Sequence, residues 1–135
     1  MKGKCIMIID DNPHDIFFTE RVIKENNEND IIITKESSRK ALDYLKSNRT
    51  PKPDIIFLDI HMPVMDGWEF LDQYCLLDEK IKTEIMIVML ATSGNPEHID
   101  RANNWDCISD YITKPLTPAR IKEIRGKLIS PKVNA

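Results

Sequence analysis

The sequence predicts a doubly wound α/β domain, with helices packed on both faces of a five-stranded parallel sheet. Short apolar segments and segments with helical periodicity alternate along the whole chain, five of each kind. Three of the apolar segments are nearly continuous and rich in isoleucine, which is typical of strands buried on both faces of a parallel sheet. Right-handed crossovers between successive strands then place the helices on the two faces.

The predicted strands and helices follow one another at short intervals. The strands are Cys5–Ile9, Asp30–Thr34, Ile55–Leu58, Ile85–Leu90 and Ser109–Thr113. A capping residue, in three cases beside a proline, marks the start of each helix. These starts are Asn12-Pro13, Ser38, Asp66, Asn95-Pro96 and Thr117-Pro118, and apolar residues at helical spacing follow each one.

The size and charge of the chain limit the number of its domains and the functions that it can have. Its 135 residues suit one ordinary domain, and we expect residues 1–130 to form it, with a short tail over 131–135 and no output domain. The net charge of −3 argues against a dedicated nucleic-acid surface, because phosphate binding needs an excess of Lys and Arg. No apolar run approaches the roughly 20 residues of a membrane span, and the first run is too short for a secretory signal. We therefore expect a cytoplasmic protein.

Three cysteines, Cys5, Cys75 and Cys107, lie far apart in the sequence. Their number is odd, and their spacing matches neither a CxxC motif nor a Cys/His zinc pattern. Each lies in or beside an apolar segment, which favours free, buried thiols. We therefore expect no disulfide framework and no zinc site, and free thiols are typical of a reducing cytoplasm.

Polar side chains follow four of the predicted strands at the point where each strand ends. Asp10 and Asp11 follow the first strand, Asp59 the third, Ala91-Thr92-Ser93 the fourth and Lys114 the fifth. In a doubly wound sheet, ligands bind at the carboxyl ends of the strands, so we expect these groups to meet. Three carboxylates in one place repel one another, and a hard divalent cation such as Mg²⁺ removes that penalty.

Together these groups have the chemistry needed for phosphoryl transfer to a carboxylate. An aspartate can be the nucleophile, a divalent metal can neutralise charge on the phosphoryl oxygens, and a lysine and a hydroxyl can hold them. Any one of these residues alone is more often a helix cap, a turn residue or a surface charge. The interpretation as a site depends on four strand ends, distant in sequence, supplying complementary groups to one place.

Three sequence blocks resemble those of response-regulator receiver domains, which act in two-component signalling. They are Ile8–Asn12, Phe57–Gly67 and Tyr111–Pro115, and the second contains the specific pattern Asp-x-x-Met-Pro-x-Met-Asp-Gly. The resemblance extends from about Lys4 to Leu128. It implies a flavodoxin-like fold with strand order 2-1-3-4-5, and a single-domain protein that accepts a phosphoryl group.

The resemblance also implies a role for each matching residue. Asp59 would accept the phosphoryl group, and Lys114 would pair with it. Asp11 and Asp59 would ligate Mg²⁺ directly, together with the backbone carbonyl of His61. Asp10 would act on the metal largely through water, and the side chain of His61 would lie near the phosphoryl group and influence its hydrolysis.

Further matching residues are implied to take part in switching. Pro115 would follow a cis peptide bond, and Tyr111 would be the aromatic residue that turns inward when a hydroxyl residue moves to the phosphoryl group. Counting back from the Lys-Pro pair identifies Thr92 as that hydroxyl residue. Counting back from the next helix start would place Ala91 there instead, with Thr92 or Ser93 as the substitute.

The resemblance implies protein partners as well. The chain would take its phosphoryl group from a sensor histidine kinase or a histidine phosphotransfer protein and signal to a downstream protein, without binding nucleic acid or membrane directly. The surface of the fourth predicted helix, the fifth strand and the fifth helix, around Ala102, Tyr111 and Ile121, would change on phosphorylation. That surface would contact the partner or a second copy of the chain.

Two other functions use similar residues. A phosphatase of the haloacid dehalogenase type also has an Asp nucleophile, Mg²⁺, a Ser/Thr and a Lys, but its nucleophile lies in an Asp-x-Asp pattern on the first strand. Here Asp10-Asp11 is followed by Asn12. A pseudo-receiver binding module would lack an acid, the acceptor or the lysine, and none is missing. The residues therefore favour a receiver that promotes its own phosphorylation and dephosphorylation over an enzyme.

Overall fold

The structure, a computed structural model of the chain, describes residues 3–47, 50–92 and 95–129. Within these residues, five strands alternate with six helices. The strands are β1 (Cys5–Ile9), β2 (Ile31–Lys35), β3 (Ile55–Asp59), β4 (Met86–Ala91) and β5 (Ile108–Thr113). The helices are α1 (Pro13–Asn26), α2 (Ser38–Lys46), α3 (Gly67–Cys75), α4 (Glu79–Lys82), α5 (Pro96–Asn103) and α6 (Pro118–Ile129). The predicted tail, residues 131–135, lies outside the described residues.

All five strands form one parallel sheet in the order β2-β1-β3-β4-β5, which confirms the predicted topology. The chain first moves outward from β1 to β2, and then crosses back to build β3, β4 and β5 on the other side of β1. The strand order therefore reverses between β1 and β3, and a crevice forms there at the carboxyl ends of the strands.

Side chains of β1 alternate between two apolar cores, one on each face of the sheet. Met7 and Ile9 belong to the core that includes side chains of α2, α3 and α5. Ile6 and Ile8 belong to the core that includes side chains of α1 and α6. Each fully buried aliphatic side chain stabilises the fold by roughly 1.5–3 kcal/mol. Because both faces are covered, the strand is apolar at every position rather than at every second one.

The predicted strands are all present, with ends that differ by no more than one residue. Both β2 and β4 begin one residue later than predicted, because a turn uses the preceding amide. The amide of Asp30 donates to the carbonyl oxygen of Asn27 at 3.2 Å, and the amide of Ile85 donates to that of Lys82 at 3.1 Å. In addition, β3 ends and β5 begins one residue beyond the predicted limits.

The structure has one helix more than the sequence predicts. The additional helix, α4, has only four residues and buries none of them. Its N-terminal cap is Asp78, whose side chain accepts a hydrogen bond from the amide of Lys80 at 3.0 Å. A helix without a buried face leaves no apolar periodicity in the sequence, and α4 is therefore invisible to a search for such periodicity.

Most of the predicted helix starts are confirmed. Asn12, Asp66 and Asn95 cap α1, α3 and α5, because their side-chain oxygens accept hydrogen bonds from amides of the first turn. The prediction for α2 is wrong by one residue, since Ser37 is its cap and Ser38 is its first, buried residue. None of the helices in the described part of the chain has the length and apolarity needed to span a membrane.

Candidate functional site

Three aspartates meet at the carboxyl ends of β1 and β3. Asp10 and Asp11 directly follow β1, and Asp59 is the last residue of β3. One carboxylate oxygen from each residue lies within 4.8 Å of those from the other two. Asp10 and Asp59 are 2% and 5% exposed, whereas Asp11 is open to solvent. The structure thus brings the three predicted acids together, two of them buried.

Lys114, which follows β5, is the cation that faces these acids. Its Nζ donates to Asp10 Oδ2 and to Asp15 Oδ2, both at 2.9 Å, and lies 3.4 Å from Asp59 Oδ1. The backbone holds this residue in place, because its amide donates to the carbonyl oxygen of Ala91 at 2.7 Å. The ammonium group of this side chain, which is 13% exposed, therefore lies close to three carboxylates.

The crowding of charges shifts the pKa of two of these groups. Burial raises the pKa of Asp59 to about 6, and the negative charge of Asp10 adds to the rise while Lys114 opposes it. Burial alone would lower the pKa of Lys114, but its hydrogen bonds to Asp15 and Asp10 outweigh this and raise the pKa above its ordinary value. At neutral pH the lysine is therefore firmly charged, while ionisation of Asp59 is resisted.

The acid cluster has the properties of a site for a divalent cation. Within the described residues, Asp59 Oδ1 is fully buried and lacks a hydrogen-bond partner, because its contact with Lys114 is an ion pair without hydrogen-bond geometry. Leaving such an oxygen unsatisfied costs about 1–3 kcal/mol. Hard cations such as Mg²⁺ prefer carboxylate oxygens and keep several waters, so an exposed Asp11 beside two buried acids fits Mg²⁺.

A close approach of α3 to β3 fixes the loop that follows the buried acid. The amide of Gly67 donates to the carbonyl oxygen of Ile60 at 2.8 Å. A Cβ atom on Gly67 would lie 2.7 Å from the Asp59 carbonyl oxygen and 2.9 Å from the Ile60 Cα, so only glycine fits there. The intervening loop, which contains the exposed His61, is therefore held to α3 beside the cluster.

Thr92, the hydroxyl residue predicted by counting back from the Lys-Pro pair, lies opposite Lys114 at the end of the sheet. Thr92 directly follows β4 and is exposed. Because Ala91 pairs with Thr113, the next residues, Thr92 and Lys114, stand opposite each other at the same sheet end. Ala91, one of the alternatives, is buried and has no hydroxyl. The other alternative, Ser93, lies outside the described residues.

Predictions about β5 and its surroundings have different outcomes. The peptide bond before Pro115 is cis, as predicted. Tyr111 is half-buried and borders a cavity of about 510 Å³ together with Ile99. The prediction that Ala102 and Ile121 form the surface around this tyrosine is wrong, because they are 3% and 0% exposed. They pack in the two separate cores, and Ile99 takes the surface position instead.

Asp15 is the residue of this site that the sequence prediction misses. It lies in the first turn of α1, and its carboxylate, 35% exposed, accepts a hydrogen bond from Lys114. Acids are common in the first turn of a helix because they interact favourably with the helix dipole, so the residue type alone indicates nothing more. The available signal is position: α1 begins three residues after Asp10, which places its first turn at the crevice.

The first turn of α5 contains His98. Its ring is half-buried, with its centroid 5.6 Å from that of His61 and 6.3 Å from that of Trp68. The guanidinium of Arg101 lies 4.6 Å from the Trp68 ring. α5 therefore packs its first turn beside the loop that follows Asp59. His14, in the first turn of α1, is exposed.

Comparisons with known sequences agree with this arrangement. The family model described as the response regulator receiver domain matches residues 6–125. A protein-glutamate methylesterase/protein-glutamine glutaminase of Halalkalibacterium halodurans is 32% identical over 133 residues, which cover 96% of this chain and 36% of that protein. The alkaline phosphatase synthesis transcriptional regulatory protein PhoP of Bacillus subtilis is 29% identical over 136 residues, which cover 96% of this chain and 52% of that protein. The chain thus spans about a third to a half of these relatives.

Two solved structures share the fold over almost the whole chain. A two component response regulator from Cytophaga hutchinsonii has a TM-score of 0.87 and 25% identity, covering 96% of this chain and 98% of its own. A response regulator receiver protein from Dyadobacter fermentans has a TM-score of 0.84 and 26% identity, covering 94% and 98%. With the family model matched over residues 6–125 and the fold shared with these structures, the chain belongs to the response regulator receiver domains of two-component signalling.

Proposed function

We propose that the chain accepts a phosphoryl group on Asp59 in a Mg²⁺-dependent reaction, and that the phosphorylated form signals to another protein. One observation carries this proposal. Carboxylate oxygens of Asp10, Asp11 and Asp59 lie within 4.8 Å of one another, and Lys114 Nζ lies 3.4 Å from Asp59 Oδ1. The negative charge of such a cluster attracts a divalent cation, and the cation and Lys114 together can offset the charge of a phosphoryl group.

Asp59 is the nucleophile in this reaction. One of its carboxylate oxygens forms a bond to phosphorus, while the bond from phosphorus to the donor atom breaks and its electron pair leaves with the donor. Lys114 donates a hydrogen bond to a phosphoryl oxygen and offsets its charge. Asp11, Asp59 and the backbone carbonyl of His61 would hold Mg²⁺, with Asp10 acting through water, and the metal would neutralise charge on the phosphoryl oxygens.

The phosphodonor is a sensor histidine kinase or a histidine phosphotransfer protein, since receiver domains in general work with these partners. Phe17 and Phe18 support a docking surface on α1, because they are 62% and 61% exposed. The first turn of the same helix contains Asp15 at the acid cluster. A partner covering both phenylalanines would bury apolar surface and bring its phosphohistidine toward the crevice.

Phosphorylation changes the surface formed by α5, β5 and α6, which then binds a downstream protein or a second copy of the chain. Thr92 supplies a hydroxyl to the phosphoryl group, and Tyr111 turns inward in response. The coupling between the two places is limited by the difference in contacts between the two states, typically about 1–3 kcal/mol. Direct nucleic-acid binding, membrane binding and an enzymatic activity on other substrates are not part of this function, which is exerted in the cytoplasm.

Phosphorylation can be tested on the purified chain. Incubation with Mg²⁺ and acetyl phosphate or phosphoramidate should add the mass of one phosphoryl group, measured on the intact protein. Asp59→Asn should abolish labelling, because it removes both the nucleophile and a metal ligand. Asp72→Asn makes the same change at an exposed helix position and should be labelled like wild type.

Each rival function gives a different result in that assay. Continuous release of phosphate without a labelled intermediate would indicate a phosphatase of the haloacid dehalogenase type. An absence of labelling in wild type would indicate a pseudo-receiver. Equal labelling of wild type and Asp59→Asn would show that another residue is the acceptor.

The switch is tested by comparing backbone amide shifts with and without beryllofluoride. Wild type should respond across the surface around Tyr111, and Thr92→Ala should respond more weakly there while still accepting a phosphoryl group on Asp59. A full response in Thr92→Ala together with a weak one in Ser93→Ala would move the hydroxyl role to Ser93. A full response in both variants would exclude the hydroxyl switch.

A further inference from the structure

The three cysteines differ in their surroundings, which corrects the prediction that all are buried. Cys5 is 6% exposed, Cys107 is half-buried and Cys75 is exposed. Cys75 is the last residue of α3, and Cys107 directly precedes β5. The sulfur atoms of these two residues lie 3.8 Å apart, although 32 positions separate them in the chain. The fold therefore pairs two thiols that the sequence keeps apart.

This thiol pair is open to small molecules. It borders a cavity of about 510 Å³ whose lining includes Tyr74, Lys82 and Trp105. The cavity lies at the amino end of β5, so it is separate from the acid cluster, which lies at the carboxyl ends of the strands. A reagent can thus reach the sulfur atoms without entering the proposed phosphorylation site.

The geometry points to a redox-active dithiol: Cys75 and Cys107 are a modification site at which a hydroperoxide closes an intramolecular disulfide. A disulfide requires a sulfur–sulfur distance of about 2 Å, so the two sulfur atoms must approach by roughly 2 Å more. Both residues lie at the end of an element rather than inside one. Side-chain rotation with a small shift at these ends can supply the movement.

The two thiols have different roles in the reaction. The exposed Cys75 meets the oxidant first, and its sulfur attacks an oxygen of the hydroperoxide. A sulfur–oxygen bond forms, the oxygen–oxygen bond breaks, and the departing alkoxide or hydroxide takes the thiol proton. The sulfur of Cys107 then attacks that of Cys75, a disulfide forms, and its proton leaves with the hydroxyl group as water. The dithiol loses two electrons, and the hydroperoxide gains them.

Electrostatics supports this order. Burial raises the pKa of Cys107 to about 12, and the neighbouring Cys75 adds to the rise. The Cys107 thiol is therefore protonated at neutral pH and reacts only once Cys75 has been activated. Lys82 lies beside the pair, because its Nζ donates to the carbonyl oxygen of Cys75 at 3.0 Å, and its positive charge partly opposes the rise in the pKa of Cys107.

A binding site for a soft metal ion is a weaker interpretation of the pair of thiols formed by Cys75 and Cys107. Structural zinc sites take four ligands and catalytic ones take three from the protein. Among the described residues, a group of three or more potential metal-ligating side chains occurs only in the aspartate cluster. Two sulfur atoms without a third ligand favour oxidation over metal binding. In a reducing compartment such a bond forms transiently and acts as a sensor rather than as a structural crosslink.

The test uses the full chain, reduced and then treated with hydrogen peroxide. Remaining thiols are alkylated under denaturing conditions, and intact and peptide masses are measured. We expect wild type to fall from three alkylated cysteines to one, with a crosslinked peptide joining Cys75 to Cys107. Cys5 provides the internal control, because it is buried and burial raises its pKa to about 11. It should react with the peroxide at no more than about a tenth of the rate of Cys75.

Two variants separate the roles of the thiols. Cys107→Ser should stop at a sulfenic acid on Cys75, detected by trapping with dimedone, whereas Cys75→Ser should keep its thiols for much longer. Retention of three thiols in wild type, or crosslinks found only between molecules, would overturn the proposal. If the variants fail to fold, the wild-type peptide map and its reversal by dithiothreitol decide the matter alone. None of these measurements depends on phosphorylation of Asp59.

Discussion

The buried acids at the two ends of the sheet differ in how completely their charges and hydrogen bonds are satisfied. At the amino end, Asp30 is 2% exposed and lies just before β2. Its carboxylate accepts hydrogen bonds from the guanidinium of Arg125, with one contact at 3.1 Å, and from the amide of Lys4 at 2.9 Å. At the carboxyl end, as far as the described residues show, Asp10 and its neighbours share a single lysine, and an oxygen of Asp59 is left without a hydrogen bond.

This difference suits the acid at the amino end of the sheet to stabilising the fold and the acids at the carboxyl end to binding a ligand. A buried carboxylate with a guanidinium and an amide has its charge and its hydrogen bonds satisfied within the fold, so nothing further is needed from solution. A cluster with more acids than bases is unfavourable by itself and becomes favourable when a cation binds. We therefore expect substitutions at the amino end to unfold the protein, and substitutions at the carboxyl end to change its ligands and even to stabilise it.

The largest effect is expected for Arg125→Met. This change leaves the carboxylate of Asp30 buried without its guanidinium, and breaking a buried pair in this way costs about 3–5 kcal/mol. Urea unfolding should show the loss as a lower midpoint. The control is Arg21→Met, because Arg21 pairs with Glu25 on the surface, where both side chains are more than 60% exposed. A control effect above about 1 kcal/mol, or a neutral Arg125→Met, would contradict the comparison.

At the opposite end, Asp59→Asn should stabilise the metal-free protein. The folded pKa of about 6 is above the ordinary value of 3.8, so the carboxylate form is the unfavourable one. The stabilisation from the protonated form is present at low pH and is lost as the pH rises through 6. A shift of about two pKa units corresponds to at most about 3 kcal/mol.

Unfolding of wild type and Asp59→Asn in the presence of a chelator gives the measurement. The advantage of the variant should be about 1–3 kcal/mol at pH 7.5 and should shrink toward pH 5. A variant that is less stable than wild type at every pH would show that the acid cluster is not strained by repulsion.

Mg²⁺ should stabilise wild type by relieving the same repulsion. At a concentration ten times the dissociation constant, the gain is about 1.4 kcal/mol, visible as a higher melting temperature. Asp11→Ala should lose this gain, since it removes an exposed acid of the cluster. Asp72→Ala, at an exposed position on α3, should keep it. An unchanged response in Asp11→Ala would place the cation elsewhere.

The smallest effect is expected at Asp110, an acid of β5 that lies at neither end of the sheet. Although burial opposes the shift, hydrogen bonds and charges from Lys127 and Arg120 lower the pKa of this carboxyl below its usual value. The resulting stabilisation is present above the unfolded pKa and is lost as the pH falls through the folded one.

Because this acid is partly exposed, Asp110→Asn should cost only about 0.5–1 kcal/mol at pH 7. The difference between variant and wild type should vanish at acidic pH, once the pH has fallen through the lowered pKa and wild type is protonated as well. A difference of the same size at both pH values would mean that packing, and not charge, is responsible.

Elements with a strong apolar pattern are the part of the fold that can be predicted. β1 and β3 are buried on both faces, so all their residues except the terminal Asp59 are apolar and the strands stand out in the sequence. α4 buries nothing and leaves no such pattern. Ala102 and Ile121 show a further limit, because their apolar character assigns them to a core and not to the surface predicted for them.

The residues of the candidate site also differ in whether the sequence can predict them. Asp10, Asp11 and Asp59 can be found from the sequence, because each follows a recognisable strand and strand ends converge in a parallel sheet. Asp15 cannot be distinguished by type from an ordinary acid at a helix start. The closeness of Cys75 and Cys107 depends on how α3 packs against the start of β5, and that packing is a property of the assembled fold and not of either segment.

The contact of Lys114 with Asp10 also has a consequence for how the molecule is made. It joins residues 104 positions apart, and closing a loop of that length costs roughly 4 kcal/mol of chain entropy. During synthesis all the acids of the cluster leave the ribosome long before the lysine does. In the growing chain, water and dissolved ions surround these carboxylates, and the ammonium group takes its place only when the last strand joins the sheet. Formation of this contact therefore shows that β5, the last of the five strands to be synthesised, has joined the sheet.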